Sequence, residues 1–145
     1  MNYFDYLNWR GDITLKVVPF NLVDNLLFSE LCYLDFRDIV GKDKISISEA
    51  HDRYFELHQD DKKASKIETG EKLFKEIVKS DRFKDTYLYN HINILDKDEA
   101  VQFSATCFLL PDKTHYVAFR GTDDYLISWK EDLQMSYLNK KNSII

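Results

Sequence analysis

The chain has 145 residues, of which 44% are hydrophobic and 31% charged, a composition typical of one folded globular domain rather than a disordered segment. Its net charge of −5 at pH 7 argues against nucleic acid or an anionic membrane as a partner, because both select a basic face. Cys32 and Cys107 lie far apart in apolar runs with no Cys-x-x-Cys spacing, so buried reduced thiols are expected.

Nothing in the chain predicts membrane insertion or export. No apolar run approaches the roughly 18 residues that a transmembrane helix needs. The first residues, Met1 to Tyr6, include an acid and no basic region, unlike a signal peptide. A cytoplasmic location is therefore the expectation.

The first half of the chain, about residues 1–83, is predicted to be helical. A short aromatic helix is expected at Tyr3–Trp9, and the Arg10-Gly11-Asp12 that follows is interpreted as a turn. Apolar spacing and capping residues predict three further helices, over about 22–35, from Ser46 onward with a Ser46/Glu49 capping box, and over about 71–80.

The second half, about residues 86–138, is predicted to be rich in β-structure. Strands are expected near 87–94, 101–110 and 115–120, the last two joined by a Pro111–Thr114 loop that sets Leu110 opposite His115. Alternation then leaves both faces of the sheet mostly apolar. Since such a sheet must be covered on both sides, the predicted fold class is α/β.

Serine and histidine side chains do not form a nucleophilic pair in this register. Ser104 and His115 would lie roughly 20 Å apart at about 3.3 Å per residue, beyond hydrogen-bond reach. His91 is interpreted as a strand histidine with an ordinary hydrogen bond. His51 and His58 would share a helix face about 10 Å apart, too far to hold one metal. No metal or cofactor site is predicted.

The most informative motif is a Gly-Thr corner after the last strand. The motif consists of Arg120-Gly121-Thr122 followed directly by Asp123 and Asp124, and a Trp129-x-x-Asp132 motif comes after it. Acyl transfer needs fixed donors aimed at a developing oxyanion. Gly121 permits a tight backbone there, and Thr122 offers both an amide and a hydroxyl. A plain strand-ending turn capped by an acid is the alternative.

These motifs resemble class 3 (fungal-type) lipases and, more closely, the Mbeg1-like family, a bacterial lipase-like family of uncharacterised α/β-hydrolases. The matching segments are Tyr6–Asp12, Asp24–Leu26, Gln102–Ala105, Phe119–Asp124 and Trp129–Asp132. The resemblance implies an acyl ester substrate and no cofactor. It assigns Thr122 as an oxyanion-hole donor and makes Arg120, Gly121, Trp129 and Asp132 structural supports of the loop.

The chain departs from that family by lacking its nucleophile motif. No Gly-x-Ser-x-Gly occurs, and no glycine follows Gly121. We therefore expect residues 1–145 to be a single incomplete α/β-hydrolase domain, truncated or frameshifted, inactive alone and prone to self-association through an exposed sheet edge. The rivals are a stand-alone α+β interaction module, and a metal or acid–base enzyme that uses Asp123, Asp124 and Asp132.

Overall fold

A computed structural model describes residues 2–59, 65–96, 98 and 101–120. Within these residues the chain forms four helices and one four-stranded antiparallel sheet, with strands in chain order across the sheet. The elements are α1 Tyr3–Arg10, α2 Leu22–Leu31, β1 Ile45–Ser46, α3 Ile47–Leu57, α4 Ser65–Ile77, β2 Tyr87–Asp96, β3 Val101–Leu109 and β4 His115–Phe119. None of the described helices has the length and apolarity required to cross a bilayer.

The predicted three-stranded segment was wrong by one strand. Ile45 and Ser46 form β1, pairing with Leu88 and Tyr87 of β2. A strand of two residues is too short to show an alternation of apolar and polar side chains, so the sequence pattern could not predict it. The described sheet is antiparallel throughout, whereas the predicted α/β class usually has a mostly parallel sheet.

The predicted register of the β3–β4 hairpin was wrong by one residue. Leu109, not Leu110, pairs with His115, and Phe108 pairs with Tyr116. Leu110 belongs to the loop, where its N–H donates to the Thr114 carbonyl at 2.8 Å. Lys113 takes a left-handed conformation with φ of 72°, which lets the turn close with one extra residue.

Two helix boundaries differ from the prediction for local reasons. The helix expected to reach Asp35 ends at Leu31, and the Asp35 carboxylate instead accepts the backbone N–H of Arg37 at 3.0 Å. The helix expected from Glu71 begins at Ser65 and contains Gly70. A Cβ at Gly70 would meet Leu34 at 3.2 Å, so this glycine permits close packing of α4.

Side-chain caps explain where the first three helices begin. Asn2 and Asn21 each complete a reciprocal capping box with the acid three residues later. Ser46 accepts the Glu49 N–H as predicted. The Glu49 carboxylate, however, accepts Arg53 at 2.7 Å rather than reaching back, so only half of the predicted box is present.

The hydrophobic core lies between the helices and one face of the sheet, here called the inner face. Phe28 of α2 is fully buried and contacts Phe83, Phe108 and Tyr116. The other face of the sheet, which carries Phe103, Val117 and Phe119, remains 40–62% exposed at those three side chains. Among the described residues, helices cover one face of the sheet. The prediction that both faces are covered is therefore confirmed for that face only.

Candidate functional site

The candidate site begins where β4 ends, at Arg120. Its N–H donates to the Ser104 carbonyl at 2.8 Å, which continues the β3–β4 ladder one step beyond the pairing of Ala105 with Phe119. Its guanidinium lies 6.0 Å from the ring centroid of Tyr33, within cation–π range. Arg120 is therefore anchored both to the sheet and to the segment after α2.

A buried histidine lies near this end of the sheet. The side chain of His91 is 1% exposed, and its Nδ1 lies 2.8 Å from the Thr106 hydroxyl. Its Nε2 accepts the Phe36 N–H at 3.3 Å, which assigns the proton to Nδ1 as donor to Thr106. Burial lowers the pKa of His91, although the nearby Asp35 carboxylate opposes that shift.

The side chain of His91 lies between Thr106 and Asp35, as the base of a catalytic triad lies between its nucleophile and its acid. These three residues nevertheless cannot act as a catalytic triad. The imidazole donates to the hydroxyl, whereas a general base must accept from it. Thr106 is fully buried, so no ester could reach its oxygen. The hydrogen bonds confirm the interpretation of His91 as a strand histidine with a structural partner.

Cys32 shares the neighbourhood of Arg120 but is not a nucleophile at neutral pH. Burial raises the pKa of its thiol to about 11, although the positive charge of Arg120 acts in the opposite direction. The thiol contacts the Ser29 carbonyl at 3.0 Å. Both cysteines are free, as the sequence predicted, but only Cys32 is buried; the prediction of burial was wrong for Cys107, which is half-buried.

The exclusion of a Ser104–His115 pair is confirmed by the observed register. Ser104 lies opposite Arg120 on the inner face and is 3% exposed. His115 is on the opposite face of the sheet, where its Nδ1 lies 2.6 Å from the Tyr89 hydroxyl. The two side chains are separated by the sheet itself as well as by about five residues of strand length.

His51 and His58 line an open groove between α3 and α4 of about 790 Å³. His51 contacts Asp52 at 3.0 Å, and His58 packs on the Tyr54 ring with centroids 4.5 Å apart. No group of three His, Cys, Asp or Glu side chains with metal-binding geometry occurs among the described residues. The two histidines are rim side chains of a groove.

The remaining predicted site residues lie outside the described residues. They are Gly121, Thr122, Trp129 and Asp132, together with Asp123 and Asp124 of the rival acid–base site. Sequence reasoning missed the contacts of His91 with Asp35 and Thr106, because the three residues belong to separate segments and share no spacing. The one local signal is the Asn90-His91 dipeptide, since asparagine tolerates the left-handed conformation with φ of 51° found there.

Comparison with known protein families gives a match over part of the chain. The model of the family described as Mbeg1-like matches residues 77–143, a stretch that runs from the last residue of α4 through β2, β3 and β4 and beyond Asp132. No curated protein and no solved structure matches the chain. The Gly-Thr corner and the Trp-x-x-Asp motif both lie inside the matched stretch. Over residues 77–143 the chain is therefore similar to the Mbeg1-like family, the family that the sequence resemblance named.

Proposed function

We propose that this chain carries the oxyanion-loop part of a lipase- or esterase-like serine hydrolase, with Thr122 as an oxyanion donor. Arg120, Gly121, Trp129 and Asp132 would support the loop, and the substrate of the complete enzyme would be an acyl ester. The 145 residues contain no Gly-x-Ser-x-Gly, so the chain alone is inactive. A cytoplasmic location, which the two free thiols favour, is part of the proposal.

The observation that supports this proposal is the match of the Mbeg1-like family model to residues 77–143, which include Gly121 and Thr122. The hydrogen bond from the Arg120 N–H to the Ser104 carbonyl shows where the proposal can be tested. In an antiparallel ladder alternate residues donate across the strand pair, so if β4 were continued beyond Arg120, the next amide to donate to β3 would be that of Thr122. An oxyanion donor must instead keep its N–H free for the substrate. The state of a single amide thus separates an oxyanion loop from a continued strand.

Hydrogen exchange of the ¹⁵N-labelled chain tests this directly. We expect the Thr122 amide to exchange near the rate of an unprotected peptide, while the Arg120 amide two residues earlier remains protected. Ala118, which is 2% exposed, is the internal protected reference. A Thr122 amide as protected as Arg120 would remove the proposed donor.

An activity probe tests the missing nucleophile. The purified chain should neither hydrolyse p-nitrophenyl butyrate above background nor react with a fluorophosphonate, because an unactivated serine is a weak nucleophile. The parallel control is Ser104→Ala, which removes the buried strand serine. Stoichiometric fluorophosphonate labelling that Ser104→Ala abolishes would contradict the assignment.

The alternative function is a stand-alone, non-catalytic α+β interaction module. The observation in its favour is that the described helices and the inner sheet face already bury one contiguous core. Size-exclusion chromatography and a thermal melt distinguish the two. A monomer with one cooperative transition and a protected Thr122 amide favours the module, whereas self-association through the β4 edge favours an incomplete hydrolase domain.

A further inference from the structure

The face of the sheet opposite the core is apolar and continuous across three strands. We call it the outer face and define it by Tyr87, Ile92, Ile94, Phe103, Val117 and Phe119. Each of these large side chains is between 40% and 62% exposed. The β-bulge between Tyr89 and Ile92 shifts the alternation of β2, so that Ile92 and Ile94 point to the same side as Tyr87.

The exposed side chains are neighbours rather than scattered residues. Ile94 pairs directly with Phe103 across β2 and β3, and the rings of Phe103 and Phe119 lie 5.8 Å apart. None of the six defining residues is charged. Single exposed apolar residues need no explanation, but a continuous patch of this kind marks a surface that another element covers.

Among the described residues, the helices do not supply this cover. Phe28 of α2 packs against Phe108 and Tyr116, both on the inner face. The polar pair of Tyr89 and His115 lies on the outer face between Tyr87 and Val117. The occupant must therefore come from residues outside the described ranges or from another molecule.

The segment that follows Arg120 in the chain has suitable chemistry. In residues 121–145 the spacing of three and four places five apolar side chains on one stripe of a helix, namely Tyr125, Leu126, Trp129, Leu133 and Tyr137. Such a stripe would be about 18 Å long on a helix about 10 Å wide. Three strands about 4.8 Å apart present a surface about 10 Å wide, so one helix would match it.

We propose that residues 125–137 of this chain cover the outer face with this apolar stripe. The segment starts within a few residues of Phe119, one of the exposed side chains. A tether this short gives an effective concentration in the millimolar range, far above that of a second copy in dilute solution. The proposal shares Trp129 with the proposed function but is tested separately from it, since it concerns the outer face of the sheet and not the amide of Thr122.

Trp129 offers a direct probe, because Trp9 and Trp129 are the two tryptophans of the chain. Trp9 is 67% exposed, so Trp9→Phe leaves a folded chain with one reporter. We expect blue-shifted emission from Trp129 and weak quenching by iodide. Phe103→Asp on the outer face should move the emission to the red and raise the quenching constant at least about two-fold.

Two further variants keep the test decisive. Ile94→Lys charges the outer face from a different strand and should give the same change, with far-UV circular dichroism confirming that both variants fold. Leu22→Asp is the matched control, since Leu22 is 82% exposed but lies on α2; it should leave Trp129 unaffected.

Three outcomes would overturn the proposal. The first is full quenching of Trp129 by iodide in the parent chain. The second is protection of Trp129 from iodide that neither Phe103→Asp nor Ile94→Lys reduces. The third is protection of Trp129 that disappears when the protein is diluted, because the outer face would then be covered by a second copy of the chain. A free Thr122 amide with an insensitive Trp129 would refute this inference alone. A protected Thr122 amide with the expected Trp129 response would refute the proposed function alone.

Discussion

Arg82 ties the loop between α1 and α2 to the rest of the core. Its guanidinium donates to the Asp24 carboxylate and to three backbone carbonyls, those of Ile13, Val18 and Pro19. The two charged side chains are 1% and 0% exposed. A buried ion pair need not stabilise more than an apolar pair would, but losing one partner leaves an uncompensated charge.

Arg82→Met should therefore destabilise the protein by about 3–5 kcal/mol, because the Asp24 carboxylate would remain buried without its cation. The urea midpoint measures the effect. Lys84→Met is the matched control, since Lys84 pairs at 2.9 Å with Asp81 on the surface, and it should leave the midpoint unchanged. Equal midpoints for the two variants would contradict the structural role of Arg82.

His91 should make stability fall as the solution becomes mildly acidic. Burial lowers its folded-state pKa below the ordinary value, so below about pH 6.5 the unfolded chain binds the proton more readily. The free energy of unfolding should therefore decline from about pH 6.5 downward, by at most about 1.4 kcal/mol per pH unit.

His91→Gln should remove this part of the pH dependence, which urea denaturation at pH 7.5 and pH 5.5 measures. The difference in unfolding free energy between parent and variant should shrink as the pH falls. His115→Gln, which removes a histidine on the exposed outer side of the sheet, is the control for the loss of a histidine as such. A slope unaltered by His91→Gln would show that other groups cause the acid sensitivity.

At the scale of elements, the turn between β3 and β4 shows what sequence pattern could and could not predict. The hairpin itself was predictable, because two apolar runs flank Pro111 and Asp112. Its register was not, because it depends on a left-handed Lys113, which no propensity favours. The start of α4 was predicted at about residue 71, whereas the helix begins at Ser65 and contains Gly70, which permits close packing against Leu34.

Lys113→Gly should stabilise the hairpin by about 0.5–1 kcal/mol, because glycine relieves a left-handed backbone that costs other residues about 1–2 kcal/mol, less its own entropic penalty. Urea denaturation measures the gain. Lys113→Ala removes the same side chain and retains the strain, so it should give no gain. If both variants behaved alike, the side chain rather than the backbone would set the energy of this turn.

At the scale of the whole molecule, the helical part and the sheet were predictable as separate regions, because apolar spacing changes between them. Their joint core was not, because it depends on contacts such as Phe28 with Phe108, 80 residues apart in sequence. The candidate site could be predicted only as a motif, Arg120 to Thr122, of which the structure describes Arg120 alone. The buried environment of His91 arises from tertiary packing, and sequence spacing carries no record of it.

Phe28 gives the sharpest test that helices and sheet unfold as one unit. Its ring lies 5.0 Å from Phe83 and 4.9 Å from Phe108, and it is fully buried. Phe28→Ala should cost about 3–5 kcal/mol, and hydrogen exchange in α4 and β3 should accelerate by the same factor, since both open only on global unfolding. Leu22→Ala, exposed on the same helix, should change stability by less than about 0.5 kcal/mol. Faster exchange in α4 with β3 unchanged would divide the chain into two units and remove the argument that the helices hold the sheet in place.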